Sequence, residues 1–100
     1  MINPNYKHAG EVLSKEFLEP FKISSCELSK STFMPLTRVD ALLKGNDKIN
    51  ADIALRLSRF FGNSAKYWLW LQIEFDIETE SHSKKDELSK IKTIGKIVAA

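Results

Sequence analysis

The apolar residues of this 100-residue chain recur mostly three or four positions apart, a spacing that predicts helices rather than strands. We expect a first helix from about Gly10 to Leu18, which Pro20 stops. A second helix begins at Ser24, where Ser24 and Glu27 form a capping-box pattern. No segment gives a convincing strand pattern.

Three more helices are expected, each with its own start or stop signal. The signals are, in chain order, Pro35 and Gly45 for the third helix, Asn50 and Gly62 for the fourth, and Ser64 for the fifth, which runs to about Glu78. The connections between them are short, so the pattern predicts one compact all-α bundle over residues 1–78.

The fifth helix is apolar on two faces, which is more than a terminal helix of a small domain can bury within its own chain. We therefore expect one face to pack on the core and another to form a homodimer. The residues that we assign to the dimer interface are Tyr67, Trp68, Leu69, Trp70, Ile73 and Ile77. The alternative is a large core in which the aromatic side chains fill gaps.

Residues 79–100 form a C-terminal extension of different character. Its first half is polar and charged and predicts a solvated linker, whereas its end, KTIGKIVAA, is apolar again. Three interpretations stay open for this end: one side of a short helix, a strand that pairs with something, or a frayed terminus. The helix would be lined by Leu88, Ile91, Ile94 and Val98.

Composition indicates a soluble protein of the cytoplasm, with 43% apolar and 28% charged residues and no apolar run near the roughly 20 residues that span a bilayer. The N-terminus lacks the hydrophobic region of a signal peptide. The net charge of +2 comes from the extension, because residues 1–78 carry ten basic and ten acidic side chains. Binding to DNA would therefore need a local patch, presented by two copies.

An enzyme is not expected. The two histidines, His8 and His82, are far apart in sequence, and the only cysteine, Cys26, has no obvious base and can form no internal disulfide. The pattern predicts neither a metal site nor a cofactor.

The second and third helices, joined by the three-residue turn TFM, have the spacing of a helix-turn-helix. Small Ser29 permits close approach of the helices, and four apolar residues would pin the third helix to the core: Leu28, Met34, Val39 and Leu42. The residues left facing outward are Thr37, Arg38, Ala41 and Lys44, types that read base edges in a major groove. Ser24 and Ser25 suit phosphate contacts at the start of the second helix. A purely structural helix pair is the alternative.

Two blocks of the chain, HAGEVLSKEFLEPFKIS and NADIALRLSRFFGNSAKYWLWLQIEFDI, resemble the HigA-type (VapI-like) antitoxins of the Cro/phage-repressor helix-turn-helix class. The resemblance implies a five-helix homodimer that binds double-stranded operator DNA, represses its own operon and neutralises a HigB-type mRNA endonuclease. It also implies DNA contacts at Thr37, Arg38 and Lys44 and in the loop Asn46–Lys48, and dimerisation on the helix that contains Trp68.

The chain departs from the family pattern around this helix pair. Phe33 stands where the family usually has a glycine, and Leu36 and Asp47 stand where it often has basic residues, while Asp40 adds a negative charge near the reading face. These departures support an alternative function, a toxin-sequestering module in which DNA binding is weak or lost.

Overall fold

A computed structural model describes residues 5–95, and within that range the chain contains helices and loops but no strand. The first helix, α1 (Ala9–Val12), continues directly as a π-helical segment, Leu13–Leu18. The others are α2 (Ser25–Thr32), α3 (Leu36–Lys44), α4 (Ala51–Phe61), α5 (Ala65–Ser83) and α6 (Lys85–Ser89). The prediction of an all-α fold is confirmed over the described residues.

The predicted caps begin the helices as expected. The side-chain oxygens of Ser24, Asn50 and Ser64 each accept a hydrogen bond from the backbone N–H three residues later, at 3.1, 2.9 and 3.1 Å. Each bond satisfies a donor that the first turn leaves without an intrahelical partner. Pro35 differs by one position, because it precedes α3 as the N-cap and does not form its first residue.

Fourteen buried apolar residues form the core: twelve come from the helical segments other than α6, and Met34 and Ile49 come from the connections on either side of α3. Trp68 lies fully buried among them, with its ring centroid 4.6 Å from that of Phe17 and its Nε1 donating to Asn63 Oδ1 at 2.8 Å. Its placement in the dimer interface is therefore corrected: Trp68 is a core residue with no surface left for a second chain.

Gly10 sets the distance between α1 and α3. A Cβ atom added there would lie 1.9 Å from the backbone oxygen of Leu42, a separation that no side chain permits. The absence of a side chain thus lets α1 press against the last turn of α3 and hold it in place.

The C-terminal extension is more helical than predicted. Helix α5 continues past Glu78 to Ser83, and α6 follows, so residues expected to form a linker are largely helical. One ion pair is seen within the described part of the extension, Lys84 Nζ to Glu80 Oε1 at 2.8 Å, and such an exposed pair adds a small stabilisation to the end of α5. All residues from 77 to 95 are exposed; Ile91 and Ile94 lie beyond α6, and Val98 lies outside the described residues.

None of the helices within residues 5–95 is long and apolar enough to cross a membrane.

Candidate nucleic-acid interface

A hydrogen-bonded turn joins α2 to α3. The Ser29 Oγ donates to the carbonyl oxygen of Met34 at 2.5 Å, and the Met34 N–H donates back to the Ser29 carbonyl at 3.1 Å. The four apolar residues predicted to pin the pair are all buried: Leu28, Met34, Val39 and Leu42. One face of α3 is thereby fixed to the core, and its opposite face is left at the surface.

That outer face carries the residues assigned to base contacts. Thr37 and Lys44 are exposed, and Ala41, one turn after Thr37, is half-buried. Leu36 adds an apolar side chain, 39% exposed, at the first position of the helix. The face is thus short, with few polar groups, and is open to a partner at the N-terminal end of α3.

The loop after α3 continues the same surface. Its Asn46 N–H donates to the carbonyl of Ala41 at 2.8 Å, which holds the loop against the last turn of the helix. Asn46 and Lys48 are exposed, and the Lys48 Nζ lies 3.0 Å from Asp76 Oδ1 on α5. Ser24 and Ser25 lie apart, at the start of α2, and within residues 5–95 no hydrogen bond ties their side chains to α3 or to this loop.

The pattern predicted that the Arg38 side chain points outward without a partner in the protein, but the structure shows it paired. Its side chain is only 34% exposed and leans toward α4, where Nη1 lies 3.3 Å from Asp52 Oδ2. Its Nε lies 3.8 Å from Asp47 Oδ2 on the loop after α3. Two carboxylates therefore already hold the guanidinium that was expected to meet a base.

Arg56 ties the turn of the helix pair to α4, a role that sequence reasoning missed. Its Nη1 donates to the carbonyl oxygens of Thr32 and Phe33, at 2.9 and 3.1 Å, and its Nε donates to Asp52 Oδ1 at 3.0 Å. These bonds satisfy acceptors at the C-terminal end of α2. The spacing of Asp52 and Arg56, four residues apart on one helix, was the available signal.

Phe33 occupies the glycine-like position of the turn in the left-handed conformation, with φ 59° and ψ 34°. It is 86% exposed, so its ring gains little from packing. A bulky residue in this region costs on the order of 1 kcal/mol or more.

The outer face of α5 carries the remaining residues assigned to the dimer interface. Trp70, Ile73 and Ile77 are 43, 52 and 57% exposed, and Tyr67 and Leu69 are half-buried beside them. Burial raises the pKa of Tyr67, with the Glu16 carboxylate adding to the effect. A stripe of this kind on a helix that already fills the core is typical of a protein contact surface.

Comparisons of sequence and of structure identify several similar bacterial proteins. Virulence-associated protein I of Dichelobacter nodosus is 35% identical over 78 residues, which make up 78% of this chain and 72% of that protein. An addiction module antidote protein of the HigA family from Coxiella burnetii is 38% identical, with a TM-score of 0.80 over 86% of this chain and 94% of its own. The Pseudomonas aeruginosa antitoxin HigA, solved with the higBA promoter, is 32% identical, with a TM-score of 0.83 over 87 and 96% of the two chains. No family model matches the chain.

Proposed function

Because the chain belongs to the family of virulence-associated protein I and the HigA antitoxins, we propose that it is a DNA-binding antitoxin that represses its own toxin–antitoxin operon. Its partners are double-stranded operator DNA and a HigB-type mRNA endonuclease, which it neutralises. It acts as a regulator in the cytoplasm and needs no catalytic group or cofactor.

The observation that carries this function is the fixed, outward α3. Val39 and Leu42 anchor the helix in the core, while Thr37 stands exposed in its first turn. In a helix-turn-helix this first turn enters the major groove, where a threonine can hydrogen-bond a base or touch a thymine methyl. Lys44, Asn46 and Lys48 then lie along the end of the helix and its loop, where phosphate contacts orient the protein on the duplex.

A second copy supplies the other half of the site. We assign the contact to the outer face of α5, with Trp70, Ile73 and Ile77 at its centre and Tyr67 and Leu69 at its edge. A two-fold dimer of this kind places its two recognition helices about 34 Å apart, so that both reach successive major grooves on one side of the DNA.

Binding to the upstream region of the protein's own operon tests the proposal. The measurement is fluorescence anisotropy with that duplex and a scrambled duplex over a range of salt concentrations. Thr37→Ala and Arg38→Ala should each weaken specific binding, by roughly 1–3 kcal/mol for the arginine. Lys15→Ala, which removes an exposed lysine of the segment Leu13–Leu18 that pairs with Glu19, is the control that should bind as the wild type does.

A second candidate function is favoured by the engagement of Arg38 with Asp47 and Asp52. If the guanidinium cannot leave these carboxylates to contact DNA, α2 and α3 serve only as a scaffold and the protein acts only by sequestering the toxin. Equal affinity for operator and scrambled DNA, together with stable co-purification of the product of the adjacent reading frame, would establish this alternative.

A further inference from the structure

We propose that Asp47 is a specificity-determining residue, whose carboxylate competes with DNA for the guanidinium of Arg38. The inference rests on the proposed function, in which α3 reads the major groove. It assigns to a residue that makes no favourable DNA contact the task of limiting the affinity for the operator more than the affinity for other sequences.

The geometry of Arg38 carries the argument. Arginine recognises guanine with two N–H groups that are held in a fixed fork. In this chain Nε faces Asp47 at 3.8 Å and Nη1 faces Asp52 at 3.3 Å, and the side chain is two-thirds buried. A base can therefore take the fork only if the guanidinium turns away from at least one carboxylate.

Asp47 is the carboxylate that can release it. Asp52 also accepts from Arg56 Nε at 3.0 Å, and Arg56 in turn holds the carbonyl oxygens at the end of α2, so moving Asp52 would disturb the turn. Asp47 lies on the loop after α3 and is 40% exposed, and its separation from Arg38 is longer than a hydrogen bond. Its other oxygen accepts from the N–H of Lys48 at 2.8 Å, which fixes the carboxylate near the surface that meets phosphates.

This arrangement acts differently on different sequences. On a duplex without a guanine in reach, Arg38 stays paired with Asp47, so the guanidinium offsets the repulsion between this carboxylate and the DNA backbone. On the operator, the bidentate pair with guanine requires Arg38 to leave Asp47, so the ion pair is lost and the carboxylate faces the backbone without its partner. The carboxylate thus lowers affinity for all DNA, and lowers it more for the operator.

The test compares Asp47→Asn with wild type on operator and scrambled duplexes. Asp47→Asn should tighten binding to the operator roughly threefold to tenfold and to scrambled DNA by less, so that the operator affinity rises relative to the scrambled-DNA affinity. Asp40→Asn is the matched control: it removes the same charge from α3, and the structure records no ion pair for Asp40 among the described residues. It should tighten binding to both duplexes equally.

The same comparison in the Arg38→Ala variant tests whether Asp47 acts through Arg38. In Arg38→Ala, Asp47→Asn should no longer change the ratio of operator affinity to scrambled-DNA affinity, because the guanidinium for which Asp47 and DNA compete is absent. If Asp47→Asn behaves as Asp40→Asn does, Asp47 acts through net charge alone and the inference is wrong. If the wild type itself fails to prefer the operator, it is the proposed function that fails, and the inference fails with it.

Discussion

The side chain of Gln72 on α5 accepts a hydrogen bond, 2.8 Å long, from the backbone N–H of Ile49 in the loop that follows α3. Both residues are buried. The amide nitrogen of the same glutamine donates to Asp76 Oδ1 at 3.0 Å, and Asp76 also pairs with Lys48. The helix assigned to dimerisation and the loop assigned to DNA are therefore joined through one buried amide.

Replacing that amide should destabilise the fold and loosen the loop. Gln72→Met keeps the length of the side chain but leaves the buried Ile49 N–H without an acceptor, which should cost about 1–3 kcal/mol of unfolding free energy. Urea unfolding measures the loss, and hydrogen exchange at the Ile49 amide should show faster local opening. Asp76→Asn, which retains an acceptor for Gln72 and removes only an exposed ion pair, should cost less than about 1 kcal/mol. Equal losses in the two variants would contradict the role given to Gln72.

Phe33 should be replaceable by glycine with a gain in stability. The φ of 59° strains a phenylalanine but not a glycine, and at 86% exposure the ring contributes little packing. We expect Phe33→Gly to raise the unfolding free energy by up to about 1 kcal/mol, or the midpoint temperature by about 4–8 °C. Ser31→Gly, two residues earlier within α2, should instead lower it by about 0.5–1 kcal/mol. A loss of stability in Phe33→Gly would show that the ring makes contacts that outweigh the strain.

Alkaline pH should destabilise the protein through Tyr6. Its hydroxyl donates to Glu16 Oε2, and this hydrogen bond, with smaller contributions from burial and nearby carboxylates, raises the pKa of Tyr6 to about 12. The neutral phenol is thus favoured in the folded state, so its contribution is complete below pH 10 and is lost as pH rises toward 12. Unfolding midpoints measured from pH 8 to 11.5 should fall above pH 10, and Tyr6→Phe should fall less steeply. If wild type and Tyr6→Phe show identical pH profiles, the hydrogen bond from Tyr6 to Glu16 does not stabilise the folded state.

Sequence reasoning succeeded where a single residue determines the backbone around it. The caps at Ser24, Asn50 and Ser64 and the left-handed glycines after α3 and α4 depend on local chemistry, so their positions could be read directly. The burial of Val39 and Leu42 followed from helical period. These features also define which face of α3 points outward.

The side-chain network around Arg38 could not be predicted in the same way. Its partners lie on a loop and on another helix, at Asp47 and Asp52, and only the folded chain brings them within 4 Å. Periodicity gave Arg38 an outward position but could not show that the guanidinium turns back toward α4. The prediction for α5 was limited in a similar way. Apolar spacing identified two apolar faces, but only the packing in the structure shows that Trp68 is buried and Trp70 lies at the surface.

The dimer interface can be separated from the core by two substitutions on neighbouring turns of α5. Trp70 and Ile73 are about half exposed, so Trp70→Glu or Ile73→Glu should give a monomer that keeps its helical circular dichroism, because a charge there prevents association but disturbs little of the core.

Trp68→Ala should behave differently, since it empties the centre of the core and should cost about 3–5 kcal/mol of unfolding free energy. Sedimentation velocity reports the oligomeric state, and Lys30→Glu, which places the same charge on the exposed surface of α2, is the control that should remain dimeric. The monomeric variants should also lose most of their operator affinity, because a single α3 reaches only one half-site. A dimer that survives both Trp70→Glu and Ile73→Glu would place the interface elsewhere on the chain.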